Sequence, residues 1–345
     1  MYVFCSHVRL SLFACLLTND VFFLIYTLKT PLCLSLYHTI EITLGKNLQV
    51  HEKSLRASYG RISDLGHQRS LLWLQPAFQC VLNLQSTSSN WEDVASLNGS
   101  IMQEAKHMQD TKETGLESLL IIALLLRAQL AGFFGFPSLA ASILRDVESN
   151  RAAPRMTDSA IPWYWNTGYV HYDLFRTTGK RRHLRIARMY KKRLEKFEAL
   201  GSSTASIYVA FLAAEEISVR TSTDDATLIA TYNRGIEIAA EDCHFHVEGF
   251  LSERAGLACA RRQRYIEAER YFQRAMYLYK NEWGAVAMHH QLQCKSALIL
   301  QAIPDTSENA HIFPYGTCIT VRAPESESRR SGTCHTPSPT PWMNR

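Results

Sequence analysis

The stretch YIEAERYFQRAMYL, residues 265–278, decides the fold of this chain. Within it the small residues Ala268 and Ala275 alternate with the large residues Phe272 and Leu278. Two helices cross closely when small side chains on one helix meet large side chains on the other. The stretch therefore predicts a helix that packs tightly against the helix preceding it in the chain.

A related pattern occurs earlier in the sequence. The run YNRGIEI at residues 232–238 aligns with FQRAMYL at residues 272–278, a spacing of about forty residues that is typical of stacked helix pairs. A single helix pair cannot bury its apolar face alone, so neighbouring pairs must stack. We therefore predict an all-α fold, an α-solenoid of stacked helical hairpins in which each hairpin contacts mainly its neighbours.

The composition agrees with a helical protein that has a real core. Apolar residues make up 46% of the chain and charged residues 20%, as in ordinary soluble proteins. Glycine and proline number only 16 and 11, which favours long helices over a β architecture with many turns. Apolar periodicity predicts helices at residues 117–130, 138–147, 163–175, 181–200 and 206–219, with connections at residues 86–99 and 150–162.

Both ends differ in character from the predicted helical domain, residues 46–302. Residues 1–45 are apolar but are interrupted by charged residues and Pro31, so no run reaches the ~20 residues that a membrane span needs. This segment also lacks the small-residue cleavage site of a signal peptide. Residues 303–345 carry many Pro and Ser residues and few apolar ones, and we predict that this tail is disordered.

Residues 256–280 resemble the tetratricopeptide repeat. In that family a glycine in the first helix lets the second helix approach closely, and small and large residues alternate where the helices cross. Trp283 is expected to fill the interface between repeats, and Gly284 to begin the next helix. The positions that match the repeat are Gly256, Tyr265, Ala268, Phe272, Ala275 and Leu278.

Three segments also resemble the helical region of large multidomain sensor kinases: residues 232–292, 74–84 and 184–188. In that family a protein-kinase-like domain and an AAA-type ATPase precede the helical region, and a GAF module and a histidine kinase follow it. The family's catalytic residues lie in those other domains. The resemblance therefore implies a spacer and regulatory scaffold within a signal-transduction protein.

Known catalytic and cofactor-binding motifs do not occur in the sequence. There is no G-x-x-x-x-G-K-[ST] loop, and no G-x-G-x-x-G, H-E-x-x-H, G-x-S-x-G or protein-kinase motif. We therefore predict that the chain is not an enzyme, has no catalytic residue and binds no cofactor.

Histidines are the best candidates for metal binding. His244 and His246 stand near Glu248, and His289 is followed by His290. Adjacent histidines on a helix point about 100° apart and chelate poorly. The first pair is expected in a loop between helices. We predict that these histidines are solvated and that no metal is bound.

The helix predicted at residues 181–200 carries the densest basic charge. Its candidate contact face consists of Arg181, Arg185, Arg188 and Lys192. A solvated helix face is the ordinary interpretation, and contact with an acidic partner or with lipid headgroups is the alternative. The neighbouring acids Glu215 and Glu216 are likewise expected on an exposed face. The net charge of +5 is too small to indicate a nucleic-acid partner.

These observations favour a non-catalytic scaffold that binds a protein partner or flanking signalling domains, with no expected contact to membranes. The nine cysteines are scattered and include no C-x-x-C pair, which indicates reduced thiols and a cytoplasmic location. Two alternatives stay open. One is a membrane-anchored receptor or adaptor fragment, which depends on residues 1–40 alone, and the other is an enzyme with a site between helices.

Overall fold

The computed structural model describes residues 37–42, 44–115, 117–150 and 157–301. These residues form helices and connections, and no β strand occurs among them, which confirms the all-α class. The predictions for residues 1–36 and for the tail after residue 301 lie outside the described residues. In the described part, no helix combines the length and the apolar character needed to cross a bilayer.

Residues 37–42 are helical, and thirteen further α-helices follow them in the described chain. A short π-helical segment, Leu278–Trp283, joins the last two. The helices are α1 (Leu48–Asp64), α2 (Gln68–Leu84), α3 (Trp91–Val94), α4 (Glu104–Glu113), α5 (Glu117–Phe133), α6 (Pro137–Ser149), α7 (Thr157–Thr178), α8 (Arg181–Ala199), α9 (Ser203–Ser218), α10 (Asp225–Glu241), α11 (Phe245–Arg261), α12 (Tyr265–Tyr277) and α13 (Val286–Gln301).

Most of these helices pack against the next helix in the chain, which gives a stack of helical hairpins. Their ends follow local chemistry. Ser202 and Asp224 accept hydrogen bonds from backbone N–H groups of the first turns of α9 and α10, as N-cap residues do. Gly179 and Gly201 end α7 and α8 with positive φ angles of 65° and 84°, a conformation that glycine adopts without strain.

Two predicted connections contain helix. The predicted loop at residues 86–99 includes α3, and α7 begins at Thr157 although residues 150–162 were predicted as a connection. Pro162 lies inside α7, where it removes one backbone hydrogen bond. Aromatic side chains beyond it, including Trp165 and Tyr169, are buried. Their burial favours the helical conformation over the break that proline alone would suggest.

The crossing of α11 and α12 has the small-against-large packing seen in the sequence. Ala268 and Ala275 are completely buried, and Phe272 is 1% exposed. A Cβ atom on Gly256 would lie 2.6 Å from the ring of Phe272, so glycine is required for this close approach. α12 begins at Tyr265, and it ends before the buried Leu278, which is the first residue of the π-helical segment.

The stack closes on itself, which the sequence did not indicate. The last helix, α13, packs against α2, and Gln291 Nε2 donates a hydrogen bond of 3.0 Å to the carbonyl oxygen of Phe134. Asn47 Nδ2 donates one of 3.0 Å to the carbonyl oxygen of Glu282. We call these contacts of residues 278–301 with α2, Asn47 and the end of α5 the closing seam.

Aromatic rings reinforce the closing seam. The ring of Phe133 on α5 lies 5.0 Å from that of Phe250 on α11 and 6.0 Å from that of Trp283, between centroids. Gly284, with a φ of 80°, ends the π-helical segment beside Leu48. As expected, the α5–α6 hairpin packs mainly against its neighbours in the chain, and α5 also touches helices far along the chain.

Replacing Phe272 with Ala should leave a cavity beneath Gly256 and lower the free energy of unfolding by about 3–5 kcal/mol. Denaturant unfolding followed by circular dichroism measures this loss. Gln273 is exposed on the same helix, so Gln273→Ala should change stability little. Equal losses in the two variants would contradict the assigned crossing face.

Replacing Trp283 with Ala should open the closing seam. We expect faster amide hydrogen exchange in α13 and also near Phe133 in α5, because both regions depend on contacts around the indole. Tyr277→Ala removes an exposed aromatic side chain nearby and serves as the control. If amide hydrogen exchange becomes faster only in residues 265–301, the stack is open and the closing seam does not hold α5.

Candidate interaction site

The candidate site lies on α8, whose two faces differ sharply. Ala187, Tyr190 and Leu194 are buried against the rest of the protein. Ile186 and Phe197 are only half-buried. The four predicted contact residues on the other side are all exposed: Arg181, Arg185, Arg188 and Lys192.

A groove of about 500 Å³ lies where α8 meets the end of α7. Phe175 and Leu184 contribute its apolar surface, and both are half-buried. The remaining lining residues are Arg181, Arg185 and Arg188. We call this feature the arginine groove. Its surface is mainly apolar, and three of its five lining residues are arginines.

Among the four predicted contact residues, Arg188 differs from the other three in that it forms an ion pair. Arg188 Nε donates a 3.0 Å hydrogen bond to Glu216 Oε1 on α9, so its charge is already paired. Arg181, Arg185 and Lys192 have no carboxylate within the 4.0 Å of an ion pair among the described residues. The structure thus separates the predicted face into one anchored arginine and three cations whose charges are available to a partner.

Glu216 is the anchor of α8 on α9. Besides Arg188, it accepts hydrogen bonds from Lys191 Nζ at 3.1 Å and from Arg220 Nη2 at 2.8 Å. Burial alone would raise the pKa of Glu216, but the hydrogen bonds from Arg220 and Lys191 outweigh this and leave the pKa below its usual value. The prediction of an exposed Glu215–Glu216 face is wrong, because both residues are buried.

Glu215 is completely buried at the centre of a second ionic cluster, next to the arginine groove. Its carboxylate lies 2.8 Å from Arg176 Nη2 on α7 and 2.6 Å from Arg254 Nη2 on α11. Tyr232 on α10 donates a further hydrogen bond of 2.9 Å to Oε1. Asp173 on α7 also pairs with both arginines. The cluster therefore joins α7, α9, α10 and α11.

The electrostatics of this cluster keep Glu215 ionised. Desolvation by burial raises the pKa of the carboxyl, while Arg176 and Arg254 lower it by more, to about 2 from an ordinary 4.5. A buried carboxylate is stable only when cations and hydrogen bonds replace its lost hydration. Arg176 follows Phe175 of the groove directly, so the cluster fixes the end of α7 that forms one side of the groove.

The predicted histidine candidates are placed differently from expectation. His246 lies within α11 and is completely buried beside Trp165 and Trp283, and His244 at its N-cap is 4% exposed. The prediction of solvated side chains is wrong for these two, because α11 begins early enough to turn His246 into the core. His289 and His290 are half-buried on α13.

A different histidine pair was missed. His38, Glu41 and His51 each offer a ligand atom, and these atoms lie within 4.8 Å of one another. The sequence signal was the spacing of His38 and Glu41, three residues apart and therefore on one helix face. His38 stands in the apolar segment of residues 1–45, and His51 lies outside that segment, so no short motif joins the three residues.

A second groove, of about 530 Å³, lies between α2 and α4 and has Gln75, His107 and Asp110 in its lining. His107 Nδ1 lies 3.0 Å from Gln75 Oε1. Burial lowers the pKa of His107 to about 4, so its imidazole is neutral near pH 7. This groove is one candidate place for the alternative of an enzyme with a site between helices.

Comparison with protein-family models, with curated proteins and with solved structures gives no match to this chain. The resemblance to the helical regions of sensor kinases therefore stays a prediction from the residues quoted above. The assignment of the arginine groove depends on the geometry alone.

Replacing Glu215 with Gln should destabilise the fold, because Asp173 becomes the single carboxylate for two buried arginines. Breaking such a cluster typically costs about 3–5 kcal/mol. The folded-state pKa of Glu215 is depressed, so its ionised form stabilises the protein above pH 4.5, and this contribution is lost as the pH falls towards 2.

Unfolding free energies measured between these pH values should therefore fall less steeply in the Glu215→Gln variant than in the unmodified chain. Glu237 is an exposed carboxylate on α10, and Glu237→Gln is the matched control. Identical pH slopes in all three proteins would show that Glu215 does not carry this dependence.

Proposed function

We propose that this chain is a non-catalytic helical scaffold that binds an acidic segment of a partner protein in the arginine groove. The observation that carries the proposal is the concentration of positive charge around this groove. α8 contains eight Lys and Arg residues and two Glu, a net charge of +6. The whole chain has a net charge of +5, so the rest of the sequence sums to −1.

The N-terminus of α8 adds to the attraction for anions. Its cap residue, Lys180, makes no side-chain capping bond, and its first turn contains no acidic residue. A helix N-terminus favours negative charge, yet here Arg181 and Lys180 stand beside it. A carboxylate from a partner would interact favourably with the helix N-terminus and with the unpaired guanidiniums of Arg181 and Arg185.

The apolar part of the groove indicates the other half of the partner's chemistry. Phe175 and Leu184 offer a hydrophobic surface beside the cations, so a segment with one apolar anchor and flanking Asp or Glu residues fits best. Apolar contact supplies affinity, while complementary charge supplies orientation and speeds association. Lipid headgroups offer anionic charge too, but they do not present an apolar side chain beside a carboxylate.

The resemblance to the helical regions of sensor kinases supports a signalling role. It also supports flanking domains as the source of the acidic segment that the groove would bind. The described cysteines are free, and two of them, Cys80 and Cys259, are buried. Free buried thiols support a reducing compartment, and we propose the cytoplasm.

The Arg181→Glu, Arg185→Glu double variant should weaken binding of an acidic amphipathic peptide by about tenfold or more, because two attractive charges become repulsive. Fluorescence anisotropy with a labelled peptide of about 15 residues, roughly four helical turns, measures the affinity. Binding should also weaken with added salt, since these charges are exposed.

The matched control is Arg234→Glu with Arg270→Glu, which changes the net charge equally on exposed positions of α10 and α12. A Leu184→Ala variant tests the apolar contact separately. Equal weakening in both double variants would mean that net charge alone governs binding. Binding to anionic vesicles without binding to the peptide would assign the groove to a membrane surface instead.

A further inference from the structure

Two buried histidines meet at the start of the described chain. His38 lies in the helical segment of residues 37–42 and is completely buried, and His51 on α1 is 1% exposed. His38 Nδ1 lies 3.0 Å from His51 Nε2, and the two rings stack with centroids 5.1 Å apart. Glu41, one helical turn after His38, is half-buried at the same place.

We propose that His38, Glu41 and His51 bind a divalent transition-metal ion of the zinc class. Two imidazoles and one carboxylate form a donor set that zinc commonly uses. Zinc–nitrogen bonds of about 2.0–2.1 Å place two ligand nitrogens about 3.3 Å apart in a tetrahedral site. The separation of 3.0 Å needs only a small shift of the rings to reach that value.

The surroundings of His38 suit a metal ligand. Its second ring nitrogen, Nε2, lies 3.3 Å from Ser58 Oγ, one of the partners that fix the tautomer and orientation of a coordinating histidine. With the Nε2 proton directed to Ser58, Nδ1 keeps its lone pair on the side of His51 and Glu41. Three protein ligands leave a fourth coordination position for water or another donor.

The rival interpretation is a hydrogen bond between two neutral imidazoles. It explains the distance of 3.0 Å, but it gives Glu41 no part. In both interpretations His51 Nδ1 is buried without a hydrogen-bond partner among the described residues. The two interpretations differ in what the cluster does. A metal ion would tie the segment of residues 37–42 to α1, next to the Asn47 contact of the closing seam, and would stabilise the closed stack.

The test uses the full chain, reduced and freed of metal with a chelator. Zinc is titrated in competition with a chromophoric chelator, and cobalt(II) is used as a spectroscopic probe. We expect one equivalent of zinc to bind and to raise the melting temperature. Cobalt should give the visible bands of a low-coordinate nitrogen and oxygen site, without the thiolate charge-transfer band that cysteine ligands produce.

Variants assign the ligands. His51→Ala and Glu41→Gln should each weaken zinc binding by about a hundredfold, and Ser58→Ala by about tenfold, since outer partners contribute less than ligands. Glu41→Gln preserves shape at a half-buried position, so it tests coordination even if a histidine variant folds poorly. His183→Ala is the control, because His171 and His183 form another buried pair, with Nδ1 atoms 2.9 Å apart.

The outcomes are distinct. Loss of binding in Glu41→Gln and His51→Ala, with binding kept in His183→Ala, supports the site. A thiolate band, or equal affinity in Glu41→Gln and the unmodified chain, places the metal elsewhere and overturns the proposal. Absence of zinc binding by the folded full chain overturns it as well and leaves a histidine–histidine hydrogen bond.

Discussion

The buried carboxylate of Glu215 is the constraint on which the middle of this structure depends. A carboxylate without hydration is tolerated only beside positive charge, and here Arg176 and Arg254 supply it from two other helices. Because the charge must be neutralised from α7 and α11 at once, these helices cannot slide along α9 independently. The apolar surfaces determine that the helices pack, and the ionic cluster determines their register.

The closing seam is a second constraint of a different kind. Its contacts join residues distant in the chain, as where Phe133 meets Phe250 and Trp283, and they consist mainly of aromatic packing. An open solenoid transmits disturbance from one repeat to the next. The seam adds contacts between the beginning and the end of the stack to those between successive helices.

The sequence predicted the parts of the fold that depend on local periodicity. α8 was expected at residues 181–200 and spans Arg181–Ala199, because its charged and apolar positions alternate with a clear helical period. The small residues Ala268 and Ala275 likewise mark the α11–α12 crossing in the sequence itself. Such features are readable because the residues that determine them are only three to seven positions apart.

The remaining features depend on contacts that leave no local pattern. Glu215 and Glu216 looked like an exposed pair, yet adjacent helical side chains point in different directions, and each is neutralised by a different helix. The residues around Asn47 and around Glu282 form no pattern from which the hydrogen bond between them could be predicted. The same limit applies to the candidate site. The sequence identified its arginines but not the Phe175–Leu184 surface between them, which comes from two helices.

In the proposed function, the division of charge around Glu216 prepares the arginine groove to bind an anion. Glu216 holds Arg188 and Lys191, so α8 is fastened to α9 through cations that would otherwise repel their neighbours. Arg181 and Arg185 lie on the same helix, four residues apart, and like charges at this spacing destabilise a helix by a few tenths of a kcal/mol. They also stand at the N-terminus of α8, where positive charge is unfavourable. Both penalties exist in the free protein, and under the proposed function a bound carboxylate would relieve them. Arg188 is already fixed to Glu216, so this relief would require no rearrangement of the scaffold.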